Sequence, residues 1–323
     1  MIETLLEIDH VVLDFSQDGK NMLNLTIAFI MFGVALELKL DAFKKLMKSP
    51  KPALVGILSQ FILMPLLTFL LAFSLKAFIT PTIGLGMILV AACPGGNISN
   101  FMSALAKGNV ALSVSLTAFS SFAGIILTPF NFAFWGNLYI KASTSGASSD
   151  LVRSLNIDAF EVLQTIAIIL GIPLLLGVAF SQKFPNITKK ILVSIKRISI
   201  LAFLAIIVII FTKNFDTFLT YIKFIFFIVL VHNALALIMG YNVARLFKLE
   251  HKTRKTVAIE TGIQNSGLAL ALLFNPDIFP ADLAIGGMTF IAAWWGVWHI
   301  ISGLTVAGFW SGFSLKSEEE PAT

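Results

Sequence analysis

Apolar residues along the chain fall into nine long stretches that are separated by short polar or basic segments. Most stretches approach or exceed the length of about 20 residues that an α-helix needs to cross a bilayer. The pattern therefore predicts nine transmembrane helices. They lie at 22–40, 52–75, 83–106, 109–135, 157–181, 198–212, 217–245, 256–275 and 281–311.

The same pattern divides the chain into five successive regions. The connection between the fourth and fifth stretches is rich in Ser, Gly and Thr, which is typical of an exposed loop. The regions are an amphipathic N-terminal segment at the membrane surface (1–21), a first repeat (22–135), a linker loop (136–156), a second repeat (157–311) and a cytoplasmic tail (312–323).

The composition supports a membrane protein and excludes several soluble classes. Apolar residues make up 57% of the 323 residues and charged residues only 13%, with a mean hydropathy of +0.89. Soluble domains contain about 45–50% apolar and about 25% charged residues, so a soluble enzyme, a nucleic-acid-binding domain and a disordered chain are excluded. The single cysteine, Cys93, excludes an intrachain disulfide and a zinc site built from cysteines.

Basic residues are distributed unequally between the two ends of the predicted helices. The net charge is +5, and 17 of the 23 Lys and Arg residues fall on the side that holds the C-terminus, against 6 on the other side. Cytoplasmic loops carry an excess of Lys and Arg. We therefore expect a multi-pass protein of the inner or plasma membrane with its N-terminus outside and its C-terminus in the cytoplasm.

Two of the predicted spans contain residues that break helices. The third contains ACPGGNISN at 92–100, in which Pro94 lacks a backbone donor and two glycines follow it. The eighth contains IETGIQNSG at 259–267. Unsatisfied backbone groups inside a bilayer are costly, so such a break persists where it lines a polar cavity or binds an ion.

The two breaks lie near mid-span in helices that run in opposite directions. The sequences that follow them, GNISNFMSALA at 96–106 and GIQNSGLALAL at 262–272, are weakly similar. This combination predicts an inverted repeat with two crossed discontinuous helices, the arrangement that secondary transporters use at the bilayer midplane. The alternative is that both breaks are packing kinks whose polar groups are satisfied locally.

Glu260 is the acidic residue that lies deepest in a predicted span. A buried carboxylate is protonated, paired with a base or bound to a cation, and no Lys or Arg lies near mid-span. Side-chain oxygens near the first break and on one face of the fourth span can join it around a cation; they belong to Ser99, Asn100, Ser113 and Thr117. One negative charge among neutral oxygens favours Na⁺ over divalent ions. A protonated, structural Glu260 is the alternative.

These motifs resemble those of the bile acid:sodium symporter family. The matching stretches are IMFGVALELK (30–39), CPGGNISN (93–100), GNVALS (108–113), ETGIQNSGLA (260–269) and WHIISG (298–303). The resemblance implies an all-helical membrane fold in which a core domain holds the crossed helices and a panel of spans one, five and six packs beside it. It also implies sodium-coupled import of an organic anion, a bile acid or a smaller carboxylate, by alternating access.

The resemblance further implies two sodium sites and a substrate region. The first sodium site matches Ser99, Asn100, Ser113, Thr117 and Glu260. The second matches the side chains of Gln60, Glu260 and Gln264 and the backbone carbonyls of Thr261 and Ile263. The substrate region matches Asn97, Asn265 and His299. Na⁺ is then the coupling ion, and the partners are the organic anion and the lipid bilayer.

Other functions stay open from the residues alone. Glu260 can also serve a proton-coupled or sodium-independent carrier or exchanger, or a channel. An intramembrane enzyme would need a nucleophile with its base, or metal ligands, within the spans. The sequence contains neither an HExxH motif nor paired mid-span aspartates, which argues against that class. The sequence predicts no oligomeric state.

Overall fold

The computed structural model describes residues 8, 17–38, 46–143, 157–213, 215–275, 278–279, 283 and 285–312. Within these ranges the chain is helical, and one isolated antiparallel bridge joins Gly95 to Gln264. The all-α expectation is thereby confirmed. Most of the predicted amphipathic segment at 1–21, positions 144–156 of the predicted linker and the tail after Gly312 lie outside the described residues.

The described helices cover all nine predicted apolar stretches. In chain order they are α1 (Gln17–Ala35), α2 (Pro50–Leu58), α3 (Met64–Leu75), α4 (Pro81–Ala92), α5 (Ile98–Leu105), α6 (Val110–Ser143), α7 (Ala159–Ile166), α8 (Ile172–Lys183), α9 (Pro185–Lys213), α10 (Phe215–Leu246), α11 (His251–Gly262), α12 (Ser266–Leu273) and α13 (Gly286–Ser311). Single π-helical turns, Ser59–Leu63 and Ala167–Gly171, join α2 to α3 and α7 to α8.

Among the residues that the structure describes, four helical segments are long and apolar enough to cross a membrane by length and composition: Pro50–Leu75, Val110–Ser143, Leu219–Leu246 and Gly286–Ser311. Large apolar side chains remain exposed on the outer surface, among them Phe134, Leu175 and Phe227. Exposed apolar surface on this scale suits contact with lipid rather than water. The chain is thus a helical multi-pass membrane protein, and the full count of nine spans stays a prediction.

Helix α6 is longer than the sequence predicts. It continues through residues 136–143, which the Ser-, Gly- and Thr-rich composition had assigned to the linker loop. Tyr139 explains the difference, because its ring is buried and lies where a side chain at Gly84 of α4 would be. Packing of this aromatic residue stabilises an extra helical segment that local composition does not favour.

Helix α4 is enclosed by protein along its length. Its residues from Thr82 to Ala92 are buried, and they form the centre of the largest apolar cluster. A Cβ at Gly86 would lie 2.7 Å from Met288 Cα, so α4 and α13 meet almost backbone to backbone. Such close approach through small residues is typical of helix packing in membranes. This contact fixes the position at which the chain leaves α4.

The π-helical turn at Ser59–Leu63 follows from a proline one turn later. Pro65 has no N–H and cannot donate to the carbonyl of Phe61, four residues earlier. Asn131 of α6 donates its Nδ2 to that carbonyl instead, at 3.0 Å. The wider turn includes the buried Gln60 and leaves its amide close to Gly95 at the first helix break.

Candidate functional site: the crossing of two broken helices

The two predicted breaks meet and cross in the interior. After α4 the chain becomes extended at Cys93, and after α11 it becomes extended at Ile263. The Gly96 N–H donates to the Ile263 carbonyl at 2.8 Å, and the Asn265 N–H donates to the Pro94 carbonyl, also at 2.8 Å. Each break thus satisfies backbone groups of the other, which removes much of the cost of interrupting a helix in hydrocarbon.

Two glycines allow this crossing to form. A Cβ at Gly95 would lie 2.7 Å from Gln60 Nε2 and 3.4 Å from Glu260 Oε2, so a side chain there would displace polar atoms of the site. A Cβ at Gly124 of α6 would lie 3.0 Å from Pro94 Cγ, and its absence lets α6 lie against the first break. The crossing is therefore enclosed by α6 on one side and by the π-helical turn on another.

The carboxylate of Glu260 lies one turn before the second break and is 1% exposed. Its Oε1 accepts hydrogen bonds from Ser99 Oγ at 2.6 Å and from Ser113 Oγ at 2.5 Å. Thr117 Oγ1 lies 3.1 Å from Oε2 and 3.3 Å from Oε1. The carboxylate thus joins α11 to α5 and α6 through hydroxyl groups.

The same hydroxyls also face the side-chain oxygen of Asn100. Ser113 Oγ lies 2.9 Å and Thr117 Oγ1 lies 3.2 Å from Asn100 Oδ1. A hydroxyl has one proton, so neither Ser113 nor Thr117 can donate to Asn100 and Glu260 at once. Several oxygen lone pairs therefore converge on few hydroxyl protons, and clusters of neutral and carboxylate oxygens of this kind can coordinate a cation.

A second polar group lies on the other side of Glu260, around the break itself. Gln264 donates its Nε2 to the Thr261 carbonyl at 2.9 Å, while its buried Oε1 has no hydrogen-bond partner among the described residues. Gln60 is buried, and its Nε2 also has no hydrogen-bond partner in the part of the chain that the structure describes. Ser59 Oγ lies 2.7 Å from Thr261 Oγ1 and ties the π-helical turn to α11. Unpartnered buried amide atoms are rare in proteins, and amide oxygens of this kind are able to bind an ion or a water molecule.

The predicted substrate residues lie at or next to the crossing. Asn97 and Asn265 precede the half-helices α5 and α12, and both are partly exposed, whereas Glu260 is buried. Asn265 Oδ1 caps α12 by accepting from the Leu268 N–H at 3.1 Å. His299 of α13 is buried. It lies one turn before Gly303, whose Cα faces Met102 and Ile263.

Some contacts around the crossing could not be foreseen from the sequence. Lys255 of α11 is buried and donates to the carbonyls of Ala106 and Trp310 at 3.0 and 3.1 Å, at the ends of α5 and α13. Asn233 of α10 donates to the Gly262 carbonyl at the second break. Their only sequence signal is a polar residue in or beside an apolar stretch, which does not reveal the partner.

Comparisons with known proteins agree on one family. Residues 24–221 match the sequence profile of the Sodium Bile acid symporter family. The uncharacterized sodium-dependent transporter YocS of Bacillus subtilis is 32% identical over 289 residues, which is 88% of this chain and 81% of YocS.

Two eukaryotic relatives match as well. The P3 protein of Homo sapiens is 31% identical over 80% of this chain, which spans only 52% of the P3 protein. A probable sodium/metabolite cotransporter, BASS2 of rice chloroplasts, is 28% identical over 91% of this chain and 65% of its own length. Members of the matching family, and the relatives named for sodium-dependent transport, are transporters and not enzymes, which removes the intramembrane enzyme from consideration. The chain belongs to the sodium bile acid symporter family of sodium-dependent membrane transporters.

Proposed function

We propose that this protein imports an organic anion together with Na⁺ by alternating access. The observation that carries the proposal is the buried Glu260 carboxylate, which lies among converging oxygens where two broken helices cross. An isolated carboxylate in this setting is expensive, and a bound monovalent cation offsets that cost. The family relationship supports the sodium dependence, and the oxygens at the crossing would hold the ion.

Two sodium ions are proposed as co-transported substrates. The first would be held by the oxygens around Glu260; its ligands are Ser99, Asn100, Ser113, Thr117 and Glu260. The second would be held at the second break; its ligands are Gln60, Glu260, Gln264 and the carbonyls of Thr261 and Ile263. The unpartnered Oε1 of Gln264 fits this role, because a free buried acceptor can bind a cation directly.

The organic anion is proposed to bind beside the sodium sites at Asn97, Asn265 and His299. The half-helices α5 and α12 both begin at the crossing, and helix N-termini attract negative charge. Asn97 and Asn265 are partly exposed, so an anion can reach them while the ion ligands stay buried. Bile acids and smaller carboxylates both present the carboxylate or sulfonate that this arrangement requires.

The geometry suggests how ion and anion binding are coupled. Serine and threonine hydroxyls that now bond to Glu260 would turn their lone pairs to the ion, which would draw α5, α6 and α11 together. This fixes the two half-helix N-termini for the anion. Coupling of this kind is reciprocal, so the anion should also raise the affinity for Na⁺.

The proposed membrane arrangement completes the model of transport. Nine spans place the N-terminus outside and the C-terminus in the cytoplasm, in agreement with the excess of basic residues on the C-terminal side. The core would contain the crossed helices with their neighbours, and the panel would contain spans one, five and six. Movement of one unit against the other would expose the crossing to alternate sides.

Uptake into cells or proteoliposomes tests the proposal. Taurocholate, pantoate and a keto acid serve as labelled probes, with Na⁺ replaced by choline at constant ionic strength. We expect saturable uptake of at least one probe that disappears in choline. Uptake that ignores Na⁺ but follows a pH gradient would replace this proposal with the proton-coupled carrier, and non-saturable flux would indicate a channel.

A further inference from the structure

Asn233 of α10 contacts the second broken helix at the point where it ends. Its Nδ2 donates to the Gly262 carbonyl at 2.7 Å, and its side chain is fully buried. In an unbroken helix the Gly262 carbonyl would accept from the amide of Ser266, but that amide bonds to the Gln264 carbonyl instead. Asn233 therefore supplies the donor that the break removes.

The other end of the same amide is attached to α13. Asn233 Oδ1 accepts from the Ser302 hydroxyl at 2.5 Å. The orientation is fixed chemically, because the Gly262 carbonyl can only accept and the amide nitrogen must face it. Asn233 thus joins the break in α11 to the helix that carries His299, three residues before Ser302.

The position of Gly262 gives this link its importance. Its peptide neighbours are Thr261 and Ile263, whose carbonyls are the backbone ligands proposed for the second sodium ion. The Ile263 carbonyl also accepts from the Gly96 N–H, so its direction affects both broken helices. If the Gly262 carbonyl lost this hydrogen-bond donor, its peptide unit would rotate toward a different donor. The carbonyls of Thr261 and Ile263 would then turn with it.

We propose that Asn233 is a positioning residue that holds the carbonyls of Thr261 and Ile263 in the orientation that binds sodium, and that Ser302 keeps the Asn233 amide in place. The inference rests on the proposed function, since it assigns a residue to the same sodium site. Asn233 itself contacts no ion; it acts through the peptide at Gly262. Through Ser302, the state of α13 is transmitted to the sodium ligands.

Thermal unfolding of the purified full chain in detergent tests this role with Na⁺ alone as the probe. Na⁺ is titrated against choline at constant ionic strength, and the Na⁺ concentration that half-saturates binding is obtained by fitting the rise in stability with Na⁺ concentration. We expect Asn233→Ala to raise this concentration about tenfold, equivalent to about 1.4 kcal/mol. Ser302→Ala keeps the bond to Gly262 and should raise it by a smaller factor, about threefold. Asn242→Ala is the matched control, because Asn242 lies on the same helix, is exposed and bonds to its own helix at Ile238.

The outcomes separate this inference from the proposed function. A wild-type protein that Na⁺ fails to stabilise contradicts both. Stabilisation of the wild type with the same half-saturating concentration in Asn233→Ala and Ser302→Ala overturns the inference alone, even when both variants unfold at a lower temperature throughout. If Asn233→Ala does not fold, Ser302→Ala alone decides, by a raised or an unchanged half-saturating concentration.

Discussion

The two broken helices have similar backbones and very different side chains. Each consists of a 12-residue helix, an extended stretch and an 8-residue helix that begins after an asparagine. In the first broken helix, the 12-residue part is α4, which contains no charged residue and is enclosed by apolar packing. In the second broken helix, the 12-residue part is α11, which carries several basic residues and Glu260. The backbone hydrogen bonds of the crossing are thus nearly symmetric, whereas the charged residues lie on α11 and not on α4.

This difference suggests a division of roles. Helix α4 anchors the crossing through its close contact with α13, whereas α11 supplies the charge that an ion can neutralise. The first break still contributes, because α5 brings the hydroxyl of Ser99 and the amide of Asn100 to Glu260. Ion binding would therefore draw the charged half toward the anchored half. The following predictions test that division.

The largest effect is expected from removing the charge on α11. Glu260→Gln keeps the shape of the side chain but removes the negative charge that would bind the cation. The folded variant should therefore bind Na⁺ roughly a hundredfold or more weakly and should lose Na⁺-dependent stabilisation and uptake. Glu161→Gln is the control, since Glu161 is exposed in the first turn of α7. Thermal unfolding in Na⁺ and in choline measures the effect. A normal Na⁺ response of Glu260→Gln would contradict the assignment of the carboxylate.

At the first break, we expect Na⁺ affinity to depend on the size of the side chain at position 95 rather than on a charge. Gly95→Ala places a Cβ 2.7 Å from Gln60 Nε2, so the Gln60 amide must shift, and 3.4 Å from Glu260 Oε2, so the added methyl group also contacts the carboxylate. We expect Na⁺ affinity to fall by roughly tenfold to a hundredfold, since strain of about 1–3 kcal/mol is typical of overpacking. In Gly171→Ala the nearest atom would be Ile125 Cδ1 at 3.6 Å, an ordinary contact, and Na⁺ affinity should be unchanged. Equal affinities in the two variants would show that the approach at Gly95 is not required.

Removing a single hydroxyl group from α6 should weaken Na⁺ binding by a smaller factor. Ser113→Ala removes the closest hydroxyl contact of Glu260 and one ligand proposed for the first sodium ion, and the half-saturating Na⁺ concentration should rise roughly fivefold to tenfold. Ser115→Ala is matched to it, because Ser115 is also buried on α6 but bonds to the Ala111 carbonyl of its own helix. A shift of equal size in both would indicate a general effect on α6. A Na⁺ titration of thermal stability distinguishes these results.

A feature of this protein can be predicted from the sequence when it changes the local pattern of residues. The helix breaks and Glu260 were visible because Pro, Gly and a carboxylate stand out inside apolar stretches. The sodium role proposed for Gln60 rests only on the family resemblance, since a buried amide has many possible functions. The position of Gln60 beside Gly95 depends on the π-helical turn before Pro65, which pattern analysis does not predict.

Contacts between distant segments account for what the sequence missed. The extension of α6 to Ser143 depends on Tyr139 packing against α4, while the local composition favours a loop. Asn233 and Lys255 each act on a backbone carbonyl that belongs to another helix. Hydropathy and motif spacing contain no information on such partners, because a polar residue in an apolar stretch indicates only that some partner exists.

The smallest effect on Na⁺ binding is expected at Lys255, which lies on the charged helix α11 but away from the proposed ion sites. Its ammonium donates to the final carbonyls of α5 and α13, where cations interact favourably with the helix dipole. Lys255→Met keeps the length and apolar stem of the side chain and removes these bonds, so stability should fall by about 1–2 kcal/mol, with the same decrease in Na⁺ and in choline. Lys252→Met, at an exposed position of the same helix, should leave stability nearly unchanged. A raised half-saturating Na⁺ concentration in Lys255→Met would contradict the division proposed above, because it would show that the end of α11 away from the break also controls the ion site.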